Sequence, residues 1–215
     1  MIQLIIIGAG GHGNDVRAIL RSSSLKKEVS FLGYLDDDPE KQMQDYVLGP
    51  ISDYVKFMSD YGFNLRYIIG INDPTVRKKI AEYMDSIYAR PMTLVHETAF
   101  VGPHCQIGDG SVLGPYAVLT VDVNLGRHVH LNTSASVNQN SILGDYCTLS
   151  PGVRVCGDVT VGHTTYLGAN STVINMKTVG DNVTIGAGGV VVRDIPSDVI
   201  AVGVPAKVIK EKACL

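Results

Sequence analysis

Two different periods run along this chain. Up to about residue 92, short β-rich runs alternate with helical patterns. Ile2–Ile7 is a continuous apolar run, the pattern of a strand buried on both faces. Gly8-Ala9-Gly10-Gly11-His12-Gly13 breaks it, and a helix is predicted from Asn14 to Leu20. Val29–Leu35 reads as a second strand that ends in Asp36-Asp37-Asp38. Ser52–Tyr61 reads as a helix, Tyr67–Ile71 as a third strand, and Asp73-Pro74 as the cap of a long helix reaching about Ala89. Alternating β and α elements predict a small parallel sheet.

From Val95 the period becomes six and never slips. Aliphatic residues fall at Val95, Val101, Ile107, Leu113, Leu119 and onward at every sixth position to Val191, seventeen in succession. Glycine often follows them, and the fourth residue after each is usually small or β-branched, as at Ala117, Ser141 and Cys147. A helical period of 3.6 cannot fit this spacing. A strict six-residue repeat predicts a parallel β-helix, with three hexads closing a triangular coil of 18 residues. The fold class is thus an α/β Rossmann-like domain over residues 1–92 followed by a β-helix domain with its tail over 93–215.

Composition narrows the functional classes. Of 215 residues, 45% are hydrophobic and 18% charged, with a formal net charge of −3. That is ordinary for a soluble protein and argues against nucleic-acid binding, which needs a basic excess or stripe. Lys26-Lys27 and Arg77-Lys78-Lys79 read as solvated helix ends or turns. No apolar run approaches a membrane span, and Met1–Ile7 is too short for a signal peptide. Cys105, Cys147, Cys156 and Cys214 form no C-x-x-C pair, and no cluster has metal-ligand spacing. A cytoplasmic protein without a metal is expected.

Gly8-x-Gly10-x-x-Gly13 alone is a weak dinucleotide fingerprint, although strand and helix flank it and Asp36 lies 23 residues past Gly13. A dehydrogenase is disfavoured, since this domain is small and no second αβ half follows. Glycines and a helix start suit any diphosphate, including that of a nucleotide-sugar.

The ordered set Ile7–Gly13, Leu35-Asp36-Asp37, Gly70-Ile71-Asn72, hexads and Gly203-Val204-Pro205-Ala206-Lys207 resembles the sialic-acid O-acetyltransferase and bacillosamine-type amino-sugar N-acetyltransferase family over nearly the whole chain. The resemblance implies a homotrimer of left-handed β-helices, with acetyl-CoA lying between neighbouring subunits. It implies an acceptor sugar, free or nucleotide-linked, bound by Gly10, Gly11 and His12, by Asp36 and Asp37 on its nucleoside or ribose hydroxyls, and by Gly70 and Asn72 nearby. For CoA it implies Thr148, Ala169, Ala187 and Gly188, and Lys207 could meet the phosphates as a point charge. The implied activity is acetyl-CoA-dependent O- or N-acetyl transfer in glycan or polysaccharide biosynthesis.

The family's base is where the chain departs. Gln139 stands at the family's histidine position and Asn140 at its acidic neighbour. A carboxamide has no useful basicity near neutral pH. His128, His130 and His163 are candidates for a relocated base. On the hexad register His128 and His163 share one face, His130 falls at a corner, and His104 shares the face of Gln139 two coils earlier. Two readings follow: a transferase with a remodelled site, or a catalytically impaired homologue that binds nucleotide-sugar or CoA as a regulatory or assembly partner. A purely structural trimer is a third, which the retained glycine and Asp36-Asp37 features oppose.

Overall fold

The computed structural model describes residues 1–212, so Cys214 lies outside the described residues. Its N-terminal unit is a parallel four-stranded sheet in the order β3-β2-β1-β4, with β1 at Ile2–Ile7, β2 at Val29–Leu35, β3 at Val47–Gly49 and β4 at Leu65–Ile69. Helices α1 (Gly11–Ser22), α2 (Pro39–Gln42), α3 (Tyr54–Tyr61) and α4 (Pro74–Ser86) connect or flank the strands. Leu4–Ile7 are fully buried, as the unbroken apolar run predicts. The third predicted strand is displaced: β4 begins two residues earlier and stops at Ile69. Packing sets that stop, because a Cβ on Gly70 would lie 2.6 Å from Gly13 Cα in α1. The helix after β1 likewise starts at Gly11, before Asn14, and α4 ends at Ser86. The chain leaves the sheet through Met92, whose N–H donates to Tyr67 O at 2.8 Å, and Leu94, whose N–H donates to Ser111 O at 2.9 Å.

From Leu94–Val95 to Val190–Val191, every hexad forms one two-residue strand, and each up to Thr172–Val173 pairs in parallel with the strand 18 residues further on, as His130↔Thr148 illustrates. Three sheets result. The front face carries Leu94–Val95, Val112–Leu113, His130–Leu131, Thr148–Leu149, Tyr166–Leu167 and Thr184–Ile185. The second starts at Phe100–Val101 and includes Ser136–Val137; the third starts at Gln106–Ile107. This is the left-handed parallel β-helix of the sequence reading. Its aliphatic column from Leu113 to Val191 is at most 2% exposed, whereas Val101 is 40% exposed because no earlier coil covers that end.

The corners explain the rest of the repeat. From Val101 to Ile185, the third residue after each aliphatic takes a left-handed backbone, with φ of 60° at His104, 52° at His128 and 58° at Asn140. The fourth is small because it bridges coils: Ser141 Oγ donates to Cys156 O at 2.9 Å and accepts from Val159 N–H at 3.1 Å. Glycine after the aliphatic leaves room for the next coil, since a Cβ on Gly144 would meet His163 N at 2.7 Å.

The α/β unit docks on the front face through a buried cation. Arg77, expected in a solvated charge run, is 0% exposed. It falls on the inner stripe of α4 with Pro74, Ala81 and Met84. Its Nε donates to His128 O at 2.9 Å, Nη1 to Ile71 O at 2.7 Å, and Nη2 to Tyr146 O and Thr148 Oγ1, both at 2.7 Å. Thr148 Oγ1 in turn donates to Asn72 O at 2.8 Å. Among the described residues no carboxylate forms an ion pair with it; backbone carbonyls and the Thr148 hydroxyl satisfy the fork. At the rim, Arg127 pairs bidentately with Asp85 at 2.9 and 3.0 Å. Arg77→Ala would orphan those buried acceptors and is expected to cost about 3 kcal/mol. Arg77→Lys should recover little, because an ammonium cannot reproduce the fork. Urea unfolding of the two variants checks both.

Candidate functional site

Strand order reverses at the carboxyl ends of β1 and β4, where ligands of open α/β sheets bind. The glycines there divide into two kinds. Gly8 (φ +102°) and Gly13 are explained by packing: a Cβ on Gly8 would meet Ile71 Cγ1 at 2.7 Å, and one on Gly13 would collide with Gly8 O. Gly10 and Gly11 are not. A Cβ on Gly11 would meet nothing within 4 Å, and one on Gly10 only Lys41 Nζ at 3.3 Å. They open α1, whose N-cap Gly10 offers no side-chain cap, so its first N–H groups lack both an intrahelical partner and a side-chain cap.

Of the acidic residues, Asp36 serves this turn. Asp36 accepts from Ala9 N–H at 2.7 Å and from Asp38 N–H at 3.0 Å, with Lys41 Nζ 3.6 Å from its carboxylate. Asp37 accepts from Ile51 N–H at 2.8 Å. Lys41 escaped the sequence reading, although it lies five residues past Asp36. Gly70 closes on Gly13, and Asn72 lends its carbonyl to Thr148 and Arg77 while its Oδ1 is buried without a partner.

His12 turns inward, away from the open space over Gly11. Its Nε2 is 2.9 Å from His130 Nδ1, and its side chain is 12% exposed. His130 is not at a corner: it is the first residue of the strand His130–Leu131 on the front face, 1% exposed beneath α1. His128 is fully buried and stacked between Tyr67 and Tyr146, with ring centroids 6.0 and 5.8 Å away. Neither can receive a substrate proton in this arrangement. His163 is exposed, yet its Nδ1 accepts Asp145 N–H at 3.0 Å. Burial, reinforced by the Arg77 charge, pushes His12 down to about 4. Burial also pushes His128 down to about 4, with Arg127 and Arg77 adding to it. His130 is held well below its ordinary value by burial first and Arg77 next.

Gln139 and Asn140 occupy the exposed corner between the second and third faces. Asn138 Nδ2 donates to Val155 O at 3.0 Å and is structural. Gln139 lies across Gly157 of the next coil, and Asn140 Nδ2 donates to Asp158 Oδ1 at 2.9 Å. That corner is opposite the front face, so one chain does not bring Gln139 together with the glycine turn. Ala169 and Ala187-Gly188 stack at the corner after the front face; Gly188 N–H donates to Ala169 O at 2.8 Å. The turn carrying Gly203–Ala206 sits over it, where Val190 N–H donates to Gly203 O at 3.0 Å and Ala206 N–H to Val190 O at 2.7 Å, and exposed Lys207 follows. Thr148 does not join this ridge. It is 0% exposed with its hydroxyl committed to Arg77 and Asn72.

Comparison with known proteins places the chain among related sequences and structures. The PglD N-terminal domain family matches residues 3–84. A GDP-perosamine N-acetyltransferase of Escherichia coli O157:H7 is 26% identical over 133 residues, 59% of this chain and 58% of that protein. The chain thus spans less than two thirds of that relative's length. PerB of Caulobacter crescentus, solved with CoA and GDP-perosamine, is 31% identical with a TM-score of 0.87, covering 97% of both chains. A perosamine N-acetyltransferase variant from the same organism, with one histidine replaced by asparagine, was also solved with CoA and GDP-perosamine; it is 30% identical with a TM-score of 0.88 and 97% coverage of both chains.

The buried histidines have a consequence for stability. His12, His128 and His130 are neutral when folded and protonate more readily when unfolded. For His12 and His128 that contribution is complete above the unfolded value of about 6.5 and is lost as pH falls toward about 4, at ~1.4 kcal/mol per pH unit for each, and His130, held well below its ordinary value, acts in the same direction. Urea midpoints should drop steeply between pH 7 and pH 5, and His130→Val should flatten that slope.

Proposed function

The chain belongs to the bacillosamine- and perosamine-type amino-sugar N-acetyltransferase family, and from that premise we propose that it transfers an acetyl group from acetyl-CoA to the amine of a nucleotide-linked amino sugar. The observation that carries the acceptor assignment is the open, uncapped start of α1 at Gly10 and Gly11. Backbone N–H groups there, with Lys41 alongside, suit the diphosphate of the nucleotide. Asp36 holds the glycine turn in shape through Ala9 N–H, Asp37 braces the neighbouring segment through Ile51 N–H, and His12 fixes α1 against the coils. The ridge of Ala169, Ala187 and Gly188, ending at Lys207, suits an extended CoA arm that needs close backbone approach and a terminal cation. Glycan assembly is the biosynthetic setting this chemistry fits, with the unit boundary near residue 92.

Because the glycine turn and the Gln139 corner lie on opposite sides of one chain, the reaction needs a second copy, in keeping with a homotrimer. Gln139 and Asn140 can orient an acceptor by hydrogen bonding, though they cannot take its proton. An amine tolerates this better than a hydroxyl, since its unprotonated fraction is already nucleophilic. The carboxamides also favour a second reading, a homologue that binds without turnover. The relative carrying asparagine for a histidine still holds both CoA and GDP-perosamine.

Two experiments test these readings. Protein mixed with acetyl-CoA and a panel of GDP-, UDP- and dTDP-linked amino sugars should release CoA thiol with at least one; CoA binding without release selects the second reading. Gly11→Val should weaken nucleotide-sugar binding at least ~10-fold with little change in Tm, because it fills ligand space only. Gly13→Ala should instead lower Tm by several degrees.

A further inference from the structure

We propose that His104, oriented by Asp122, is the base that accepts the acceptor's proton, an inference that rests on the acetyltransferase reading above. The chain holds six histidines, and the hydrogen-bonding of each limits what it can do. His12 and His130 face one another under α1, and His128 is sealed between two tyrosines. His96 is 7% exposed and spends Nε2 on Ser22 Oγ at 3.1 Å and Nδ1 on Thr98 Oγ1 at 2.8 Å. His163 accepts a backbone N–H at Nδ1, so in the neutral ring its one proton sits on Nε2 and that atom is a donor.

His104 is arranged the opposite way. Its Nδ1 lies 3.0 Å from Asp122 Oδ1. A carboxylate only accepts, so Nδ1 carries the proton and Nε2 presents a lone pair. The side chain is 79% exposed. A histidine with Nδ1 held by an acid and Nε2 open is the arrangement that general bases use.

Its location matters as much as its bonding. His104, Asp122, Asn140 and Asp158 are spaced by 18 residues and stack in one column, all with left-handed φ between 53° and 60°. The column consists of two bonded pairs, His104–Asp122 and Asn140–Asp158. His104 therefore shares the corner of Gln139, about 10 Å along the axis at strand spacing. A second copy that presents a sugar amine to this corner meets carboxamides at one level and a histidine–carboxylate pair below.

In the step, the amine nitrogen attacks the thioester carbonyl carbon, a C–N bond forms, and the C–S bond breaks. The N–H proton passes to His104 Nε2 and from there to the departing sulfur. An amide, CoA thiol and a neutral imidazole result.

His104→Gly is the decisive variant, because φ of +60° suits glycine and the missing ring leaves a space that free imidazole can enter. With the amino sugar that the wild type uses, kcat should fall ~10²-fold or more, with KM within about threefold. Added imidazole should restore at least ~10-fold of the loss, which a merely structural role would not show. Asp122→Ala should lower kcat at least ~10-fold. Wild-type turnover with an H104G kcat within threefold of it, or an H104G loss that imidazole does not relieve, overturns His104 as the base and leaves the acetyltransferase reading standing. A wild type inert toward the whole panel overturns that reading, and this one with it.

Discussion

The uninterrupted six-residue register is the constraint on which the remaining features rest. With no insertion in seventeen hexads, residue n always stacks on residue n + 18. Backbone pairing then repeats at every coil, and so does side-chain pairing. Along one corner, Arg127 N–H donates to Asp145 Oδ1, Asp145 N–H to His163 Nδ1, and His163 N–H to Asp181 Oδ1. Such ladders satisfy corner amides that an isolated turn would leave to water.

The second dependence is electrostatic. Arg77 joins the two units by placing one cation among carbonyls contributed by both, at a site no solvent reaches. Burial pushes its own pKa down to about 10, so it stays charged at neutral pH. That charge also helps to keep the surrounding histidines unprotonated. The junction thus holds a fixed positive charge and several neutral rings, stable only where those rings carry no second, charging proton.

Much of this was legible in sequence, and the failures share a cause. The hexad column was readable from Val95 to Val191 because a period of six has no competing explanation, and only the uncovered first coils depart from full burial. β1 and β2 were readable as apolar runs, whereas β3 and α2 lay hidden in the polar stretch after Asp36. Arg77 was misread because a run of three basic residues resembles a solvated face. The spacing Arg77–Ala81–Met84 carried the contrary signal, a buried helical stripe. Thr148 and His130 each precede an inward aliphatic, His130 was read as a corner residue, and nothing local reveals that another domain covers that face. Of the candidate site, the glycine turn was visible as a motif, but only packing separates Gly10 and Gly11 from Gly8 and Gly13. The His104–Asp122 pair needed only the 18-residue arithmetic and was not drawn from it.

The rigid stacking also limits how a site on this scaffold can change. A loop can lengthen or bend by any amount, but a side chain on a coil corner has no intermediate positions. It can shift only by whole coils, about 4.8 Å at a time, or move to another of the three corners. Chemistry on such a molecule is therefore written on a ruled scale. A functional group displaced from one position reappears, if at all, at a graduation mark fixed by the backbone.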